Sequence, residues 1–151
     1  EKKVVSEMLI DYLDRENILF DAEAADREEA VRIAGGLLVK CGAAKPSYVD
    51  AMVDMSKDFH YIVLAPGLAM PHARPECGAL GNSLSVVKLK KPVPFGHPQH
   101  DPVSVVLGLV ARSESEHLDV MEALADVLGE EGNIERMTGA KSVEELIAVL
   151  S

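Results

Sequence analysis

Apolar residues recur at helical spacing near the start of the chain. Within residues 4–13 they fall at Val5, Met8, Leu9 and Leu13, with polar residues between them. This spacing places the apolar side chains on one face and predicts an amphipathic helix. That face can also pack on a second copy of the chain, which leaves a homodimer open.

A second helix is predicted to begin after Asp26, which suits an N-cap position and precedes acidic residues that favour a first turn. Its apolar face ends at Cys41, which we expect to be buried, and Gly42 is a suitable stop. Gly35 and Gly36 lie inside this helix, where each costs about 1 kcal/mol relative to alanine. The pair therefore predicts close packing against a neighbouring element.

A third helix is predicted from Pro46, because proline is tolerated in the first helical turn. Val49, Met52, Val53 and Phe59 would form its inward side. The segment that follows contains several prolines and glycines, which end the helical pattern.

Strand-like runs are shorter and lie between these helices and after them. Residues Ile18–Phe20, Tyr61–Ala65 and Ser83–Leu89 are candidates. The run Val103–Val110 is apolar on both faces apart from one serine and one glycine, which is typical of a central strand covered by helices on both sides. The proline-rich segment Pro92–Pro102 predicts a long turn.

Two further helices are predicted in the last third of the chain. Ser113 with Glu116 has the spacing of a capping box, and Gly129 would end that helix. A second capping box at Ser142 opens a C-terminal helix that reaches Leu150. Strands and helices thus mix along the whole length without a repeat or a linker. The pattern predicts one α/β domain, with helices around a small sheet.

Composition restricts the classes of function. The 151 residues suit one domain over residues 1–151, and no apolar run approaches the roughly 20 residues that span a bilayer. No signal peptide is recognised, and two cysteines are too few for a disulfide framework, so we expect a cytoplasmic protein. The net charge of −10 makes nucleic acid and acidic membranes poor partners and favours a basic protein.

The stretch Leu64–Cys77 carries the first candidate for chemistry. Its prolines fix the backbone and its glycine permits unusual dihedral angles, so the loop is expected to be rigid. It presents His72 close to Arg74 and Glu76, and loops held by a rigid scaffold often carry functional side chains. The alternative interpretation is a tight surface turn in which the histidine is incidental.

A second histidine, His117, follows the central strand and lies at the start of a helix. Ligands of open α/β sheets collect beyond strand ends, near helix N-termini. If the strands before His72 and His117 share an orientation, the two side chains meet at one edge of the sheet. A helix N-terminus there suits an anion such as phosphate, and Arg74 and Arg112 can add positive charge. The alternative for His117 is a first-turn residue exposed to water.

Several motifs, in order along the chain, resemble those of a known family. They are Gly67-Leu68-Ala69-Met70-Pro71-His72, Val87-Lys88-Leu89-Lys90-Lys91-Pro92-Val93-Pro94-Phe95, Asp101-Pro102-Val103 and Glu116-His117-Leu118. The first of these looks like the active-site signature of fructose/mannitol-type EIIA domains of the bacterial phosphotransferase system. The resemblance extends from about Ile18 to the end of the chain, and the form of Leu64–Glu76 is most similar to the ascorbate-type branch.

The resemblance implies a mixed parallel/antiparallel sheet of about five strands flanked by helices. It also implies a phosphoryl relay in which His72 matches the phosphorylated histidine and His117 the histidine that orients or stabilises the phosphoryl group. The donor would be phospho-HPr and the acceptor a cysteine of an EIIB domain, which phosphorylates sugar as a membrane EIIC carries it inward. A neutral imidazole attacks phosphorus without a general base, so no cofactor and no metal is expected.

One departure from the mannitol-type pattern concerns positive charge. That pattern places an arginine ahead of the signature, whereas this chain has Met55-Ser56-Lys57-Asp58 in the same zone. Lys57, Arg74 or Arg112 would have to supply the charge. The glycine that commonly follows the active histidine is also replaced, by Ala73.

Three rival interpretations remain beside this one. A metal hydrolase could use His97, His100 and Asp101 with His72, although their spacing lacks the helical logic of zinc-binding motifs. Cys77 near His72 suggests a thiol nucleophile, but a half-buried cysteine near a turn is the simpler interpretation. The third rival is a regulatory EIIA-like module that signals through its phosphorylation state without transport. The sequence leaves the sugar open, with ascorbate favoured over pentitols.

Overall fold

The computed structural model describes residues 12–58 and 62–150, which form a five-stranded sheet with helices packed on both faces. In chain order the elements are β1 (Leu13–Ala22), α1 (Arg27–Lys40), α2 (Pro46–Ser56), β2 (Val63–Ala65), β3 (Leu68–Ala69), a 3-10 turn (Pro75–Cys77), β4 (Ser83–Val93), β5 (Val103–Val110), α3 (Glu114–Leu128), α4 (Asn133–Thr138) and α5 (Val143–Leu150). No helix in these two ranges is both long enough and apolar enough to cross a membrane.

The sheet mixes both kinds of strand pairing, as the family resemblance implied. Its strand order is β1-β4-β5-β3-β2. The pairs β1–β4 and β3–β5 are parallel, whereas β4–β5 and β2–β3 are antiparallel. The parallel pairing of β3 with β5 decides which loops meet at the edge of the sheet where the candidate site lies.

The predicted central strand, β5, is buried along its whole length. Val105, Leu107 and Leu109 pack against the cluster formed with α3, α4 and α5, while Val106 and Val110 pack against α1 and α2. An apolar pattern without alternation is therefore required here, because both faces of the strand are covered.

The predicted caps and one of the two helical glycines have clear structural reasons. Asp26 accepts a hydrogen bond from the backbone N–H of Glu29 (2.9 Å), which caps α1. A Cβ on Gly35 would lie 2.9 Å from Cγ1 of Val49, so only glycine allows α1 to approach α2 this closely. Gly36 has no such neighbour within 4 Å, and close packing explains only the first glycine of the pair.

The N-terminal expectations need correction where the structure describes them. The predicted helix over residues 4–13 falls almost entirely outside the described residues, and Leu13 already belongs to β1. The polar residues 14–17, predicted to break the chain before a short strand, lie within β1. Residues 14–16 are tolerated because β1 is an edge strand and they face solvent, whereas Asn17 is buried and donates to the hydroxyl of Ser83 (2.9 Å).

Cys41 is exposed, so its predicted burial is wrong. The thiol belongs to the C-cap residue of α1, one position past the last helical residue, and it contacts Asn17 (3.6 Å) and Ser83 (3.7 Å) at the exposed rim of the sheet. Its Sγ lies 3.3 Å from the carbonyl oxygen of Leu38. Helical periodicity cannot be extended beyond the residue at which the helix ends.

Other differences concern element ends and one short helix. α4 (Asn133–Thr138) was not predicted, because six residues give too little periodicity. β4 continues to Val93, past the point where Lys90 and Lys91 reach solvent. Val49, Met52 and Val53 of α2 are buried as predicted, whereas Phe59 lies outside the described residues.

Candidate active site

The topology brings His72 and His117 to one edge of the sheet. His72 follows β3 by three residues, and His117 lies in the first turns of α3, which follows β5. Because β3 and β5 are parallel, the segments that leave their carboxyl ends meet. The strand assigned from sequence before His72, Tyr61–Ala65, corresponds to β2, which runs antiparallel to β3. The two-residue strand β3 supplies the required orientation instead.

The ring of His72 is held by the backbone of its own loop. Its Nδ1 lies 2.9 Å from the carbonyl oxygen of Met70. A carbonyl oxygen only accepts, so Nδ1 carries the proton and Nε2 has a free lone pair. The residue is 9% exposed, which limits the freedom of the ring further. The hydrogen bond therefore leaves Nε2 as the ring nitrogen with a free lone pair.

The backbone on both sides of His72 is fixed to β5. The N–H of Leu109 donates to the carbonyl oxygen of Pro71 (3.2 Å). On the other side, the hydroxyl of Tyr48 accepts from the N–H of Ala73 (3.1 Å) and donates to the carbonyl oxygen of Leu109 (2.8 Å). The loop is thus anchored immediately before and immediately after the histidine.

His117 is presented differently, by the capped N-terminus of α3. Ser113 accepts from the backbone N–H of Glu116 (3.2 Å), which is the N-cap half of the predicted capping box, whereas the Glu116 carboxylate bonds Asn82 and Arg112 and not the Ser113 N–H. The ring centroids of His117 and His72 lie 5.0 Å apart, with their planes tilted by 54°. Nδ1 of His117 is buried and finds no hydrogen-bond partner among the residues that the structure describes. The ring is therefore placed by the helix and not by a polar contact.

Both histidines are shifted toward the neutral form. Burial lowers the pKa of His72, and the hydrogen bond to Met70 works weakly in the opposite direction. Burial also lowers the pKa of His117, and the neighbouring His72 lowers it further. Desolvation disfavours the imidazolium ion in both cases, so two uncharged imidazoles face each other near neutral pH.

A small, mainly apolar cavity of about 260 Å³ contains both histidines. Its lining residues are Met55, His72, Ala73, Arg74, Pro75, Glu114, His117 and Leu118. Leu118 is 63% exposed, a large apolar side chain at the rim of this cavity. A shallow apolar surface around a reactive nitrogen suits contact with another macromolecule better than capture of a free sugar.

The three basic candidates are placed in different surroundings. Arg74 lines the cavity, beside His72. Arg112 instead pairs with Glu116 (3.4 Å), and Lys57 pairs with Asp54 (3.2 Å), both on the surface. The structure thus places only one of the three, Arg74, at the cavity wall.

Sequence reasoning missed Tyr48 and Asn82. Asn82 accepts from the backbone N–H of Arg112 (2.8 Å) and donates to the carboxylate of Glu116, so it ties the start of α3 to the loop before β4. A polar residue between Gly81 and a strand gives no signal of such a role. The role of Tyr48 could not be recognised from the sequence, because an inward tyrosine in a helix has the same pattern as any other core residue.

The groups named in the rival interpretations serve local structure. The carboxylate of Asp101 accepts from the backbone N–H groups of Phe95 and Gly96, and Nδ1 of His97 accepts from those of Gln99 and His100. In residues 12–58 and 62–150, no group of three potential metal ligands comes together. Cys77 is half-buried in the 3-10 turn, as the simpler interpretation predicted.

Chemically, this arrangement suits transient bonding of an anion. Nε2 of His72 offers a lone pair, and His117, Arg74 and the N-terminus of α3 offer hydrogen-bond donors or positive charge around it. Glu114 is the acidic exception in the lining, where it faces the same cavity.

Comparison with known proteins gives consistent results. Residues 11–151 match the family model of the phosphoenolpyruvate-dependent sugar phosphotransferase system, EIIA 2. The ascorbate-specific PTS system EIIA component of Salmonella choleraesuis is 34% identical over 91% of this chain and 90% of its own.

Solved structures of similar proteins share the fold. The mannitol-specific cryptic phosphotransferase enzyme IIA CmtB of Escherichia coli superposes with a TM-score of 0.86 at 33% identity, covering 95% of this chain and 98% of its own. Enzyme IIA mannitol of Escherichia coli, solved in complex with phosphorylated enzyme IIB, gives a TM-score of 0.77 at 34% identity, with coverages of 89% and 94%.

Proposed function

This chain belongs to the EIIA 2 family of the phosphoenolpyruvate-dependent sugar phosphotransferase system, whose members carry phosphoryl groups, and we propose that this chain carries them on His72. The observation that supports this most directly is the bond from Nδ1 of His72 to Met70, which leaves Nε2 free within a cavity open to a second protein. We also propose that residues 1–151 act as a single EIIA domain.

The transfer needs no proton to move within the site. The donor is proposed to be a phosphohistidine of HPr. The lone pair of Nε2 attacks phosphorus as the nitrogen–phosphorus bond of that phosphohistidine breaks, and the imidazole of the donor keeps the electron pair. His72 then carries the phosphoryl group on Nε2 and its proton on Nδ1, still bonded to Met70. The positive ring that results is a good leaving group, so the phosphoryl group can be passed on.

Two further residues are proposed to act on the transferred group. Phosphoryl transfer depends mainly on in-line placement and on stabilisation of charge spread over three oxygens. His117, 5.0 Å from His72 between ring centroids, can donate a hydrogen bond to one of these oxygens. Arg74 at the cavity wall is the basic residue best placed to neutralise charge, ahead of Lys57 and Arg112.

The donor is proposed to be phospho-HPr, and the acceptor a cysteine thiolate of an EIIB domain. The thiolate attacks phosphorus, the bond to Nε2 breaks, and His72 returns to its neutral form. The solved relative bound to a phosphorylated enzyme IIB supports this class of acceptor. The exposed Leu118 beside the histidines and the net charge of −10 suit a partner with an apolar patch and basic surroundings.

A membrane EIIC would be only an indirect partner of this chain, because EIIB passes the phosphoryl group to the sugar that EIIC carries. Ascorbate is the proposed substrate, since relatives with that printed specificity are 34% identical over most of the chain. A cytoplasmic location stays a prediction, in keeping with these proposed partners.

The test is incubation with phosphoenolpyruvate, enzyme I and HPr, comparing the native chain with His72→Ala. We expect an acid-labile, base-stable phosphate on the native chain and none on the variant. His100→Ala is the matched control, because it removes an imidazole elsewhere in the structure and should leave labelling intact. Full labelling of His72→Ala would refute the assignment.

Addition of EIIB to the labelled protein separates transport from regulation. Loss of the label to an EIIB cysteine is expected for the transport role. Labelling without any hand-over to the EIIB proteins of the same organism would favour the regulatory module and contradict the proposed acceptor.

A further inference from the structure

Tyr48 lies outside the cavity but contacts the loop that holds His72. We propose that Tyr48 is a positioning residue for phosphoryl transfer, an inference that rests on the proposed role of His72. Its side chain extends from α2, is fully buried, and ends with its hydroxyl between the loop and β5.

The hydroxyl takes the place of one hydrogen bond in a parallel strand ladder. In such a ladder, the N–H and carbonyl of one residue bond to two residues of the neighbouring strand, which are themselves two positions apart. Leu109 follows this pattern on one side, since its N–H donates to the carbonyl oxygen of Pro71 (3.2 Å). Its carbonyl would then be expected to accept from the N–H of Ala73.

The Tyr48 hydroxyl bridges those two groups. The N–H of Ala73 donates to the phenol oxygen (3.1 Å), and the phenol donates to the carbonyl oxygen of Leu109 (2.8 Å). The carbonyl oxygen of Ala73, also at 3.1 Å, is a second acceptor for the single phenol proton. The chain after His72 therefore diverges from the sheet by the width of one hydroxyl while both backbone groups remain bonded.

This position matters because His72 is the residue at which the divergence occurs. Residue 71 is a proline and has no N–H to donate, so no further ladder bond can fix the loop from that residue. The bonds of Pro71 and Ala73 to β5 bracket the histidine, and only the second depends on a side chain. Burial raises the pKa of Tyr48 to about 12, so the bridging proton is present at every working pH.

The direct test is Tyr48→Phe, which removes the hydroxyl and keeps the ring. Displacements of about 1 Å can slow a positioned reaction up to about 100-fold. We expect the rate of phosphorylation of His72 at saturating phospho-HPr to fall about tenfold. The concentration of donor that gives half the maximal rate should be unchanged, because Tyr48 is fully buried and cannot touch the donor.

Ser85→Ala is the matched control. Ser85 is also fully buried, and its hydroxyl donates to the backbone carbonyl of Ala34 in α1 (2.9 Å), which is not part of the His72 loop. Both substitutions remove a buried hydroxyl bond to the backbone and should lower the melting temperature. Only Tyr48→Phe should slow transfer. Equal slowing by both variants would mean that Tyr48 acts only through the stability of the core, and it would refute the positioning role.

Two further measurements test the proposal independently of the transfer rate. In Tyr48→Phe, the imidazole nitrogen signals of His72 should move, as its loop is released, while those of His97 stay in place. In the unmodified protein, the amide of Ala73 should exchange with solvent as slowly as the amides of β5, and this needs no variant to fold. Rapid exchange there, or a Tyr48→Phe variant that transfers at the native rate, would overturn the proposal.

The outcome is separable from that of the proposed function. A native rate in Tyr48→Phe with no labelling of His72→Ala refutes the role of Tyr48 alone. Labelling of His72→Ala refutes the phosphorylation site, and the proposal for Tyr48 falls with it.

Discussion

His72 and His117 approach each other within ring contact, yet the two regions that carry them are held in different ways. His72 lies in a loop whose backbone is bonded on both sides to β5 and whose Nδ1 is bonded to Met70. His117 lies on a helix whose N-terminus is capped and tied down, but Nδ1 of its ring has no hydrogen-bond partner among the described residues.

This difference suits a division of labour. A ring with a fixed tautomer always offers the same nitrogen, which is what a nucleophile needs for in-line attack. A ring without a fixed partner can turn toward an oxygen of the arriving phosphoryl group and satisfy its buried nitrogen or its opposite N–H there. Pre-organisation of the loop and adaptability of the helical side chain are therefore complementary under the proposed function.

The largest effect is expected when the adaptable ring, that of His117, is removed. In His117→Ala the nucleophile and its bond to Met70 remain, so labelling of His72 should still occur. Loss of one donor to a developing anion typically slows catalysis about 100- to 1,000-fold. We expect a loss at the lower end of this range, measured as the single-turnover rate of transfer from phospho-HPr.

His100→Ala is again the suitable control for that experiment. Its Nδ1 is likewise buried and unpartnered within the described part of the chain, but it is absent from the residues that line the cavity. A native transfer rate in His117→Ala would show that the two rings are neighbours without a shared function.

A second experiment tests the positive charge that the His72 loop contributes to the cavity. Arg74→Ala removes the basic side chain at the cavity wall and should slow transfer about tenfold, since an exposed guanidinium is screened by solvent. The measurement is the steady-state rate of transfer, both from phospho-HPr to this chain and from this chain to EIIB.

Arg112→Ala and Lys57→Ala are matched controls, because each removes a surface charge paired with a carboxylate outside the cavity lining. Their rates should stay within about twofold of native. A larger loss in Arg112→Ala than in Arg74→Ala would mean that charge near α3 matters more than charge on the His72 loop.

The sequence predicted that these two regions meet only on the condition that their strands share an orientation, and the strand assigned before His72 is β2, which runs antiparallel to β3. A histidine after a short strand and another after a central strand imply one sheet edge whenever the strands are parallel. The fold class followed from the same patterns, since β5 is apolar on both faces and the caps Asp26 and Ser113 mark helix starts. These are local signals, and local signals are what a single sequence carries.

The means by which His72 is held could not be predicted. They depend on the register of β3 against β5, and β3 has two residues, too few to show any period. The bridging hydroxyl of Tyr48 comes from a helix more than twenty residues earlier, with no pattern that sets it apart from a core residue. The pairing of Arg112 with Glu116, by contrast, is a local contact between residues four positions apart at the start of α3.

The smallest expected effect concerns pH and compares the two rings directly. Burial holds the pKa of His72 and of His117 below the ordinary value, so both ring titrations followed by NMR should have midpoints below about 6.5. As the pH falls through this region the unfolded chain binds protons first. The free energy of unfolding should therefore decrease as the pH falls below about 6.5 and remain level above it.

The same titration distinguishes how the two pKa values are lowered. Burial is the main cause of the lowered pKa of both rings, and the proximity of His72 lowers the pKa of His117 further. His72→Ala should therefore raise the midpoint of His117, both by removing a neighbouring charge and by admitting water. In His117→Ala the midpoint of His72 should rise less, because its ring stays bonded to Met70 within its own loop. Equal shifts in the two variants would mean that the pKa of each ring depends equally on the other ring. The loop would then keep the pKa of His72 no more constant than the helix keeps that of His117.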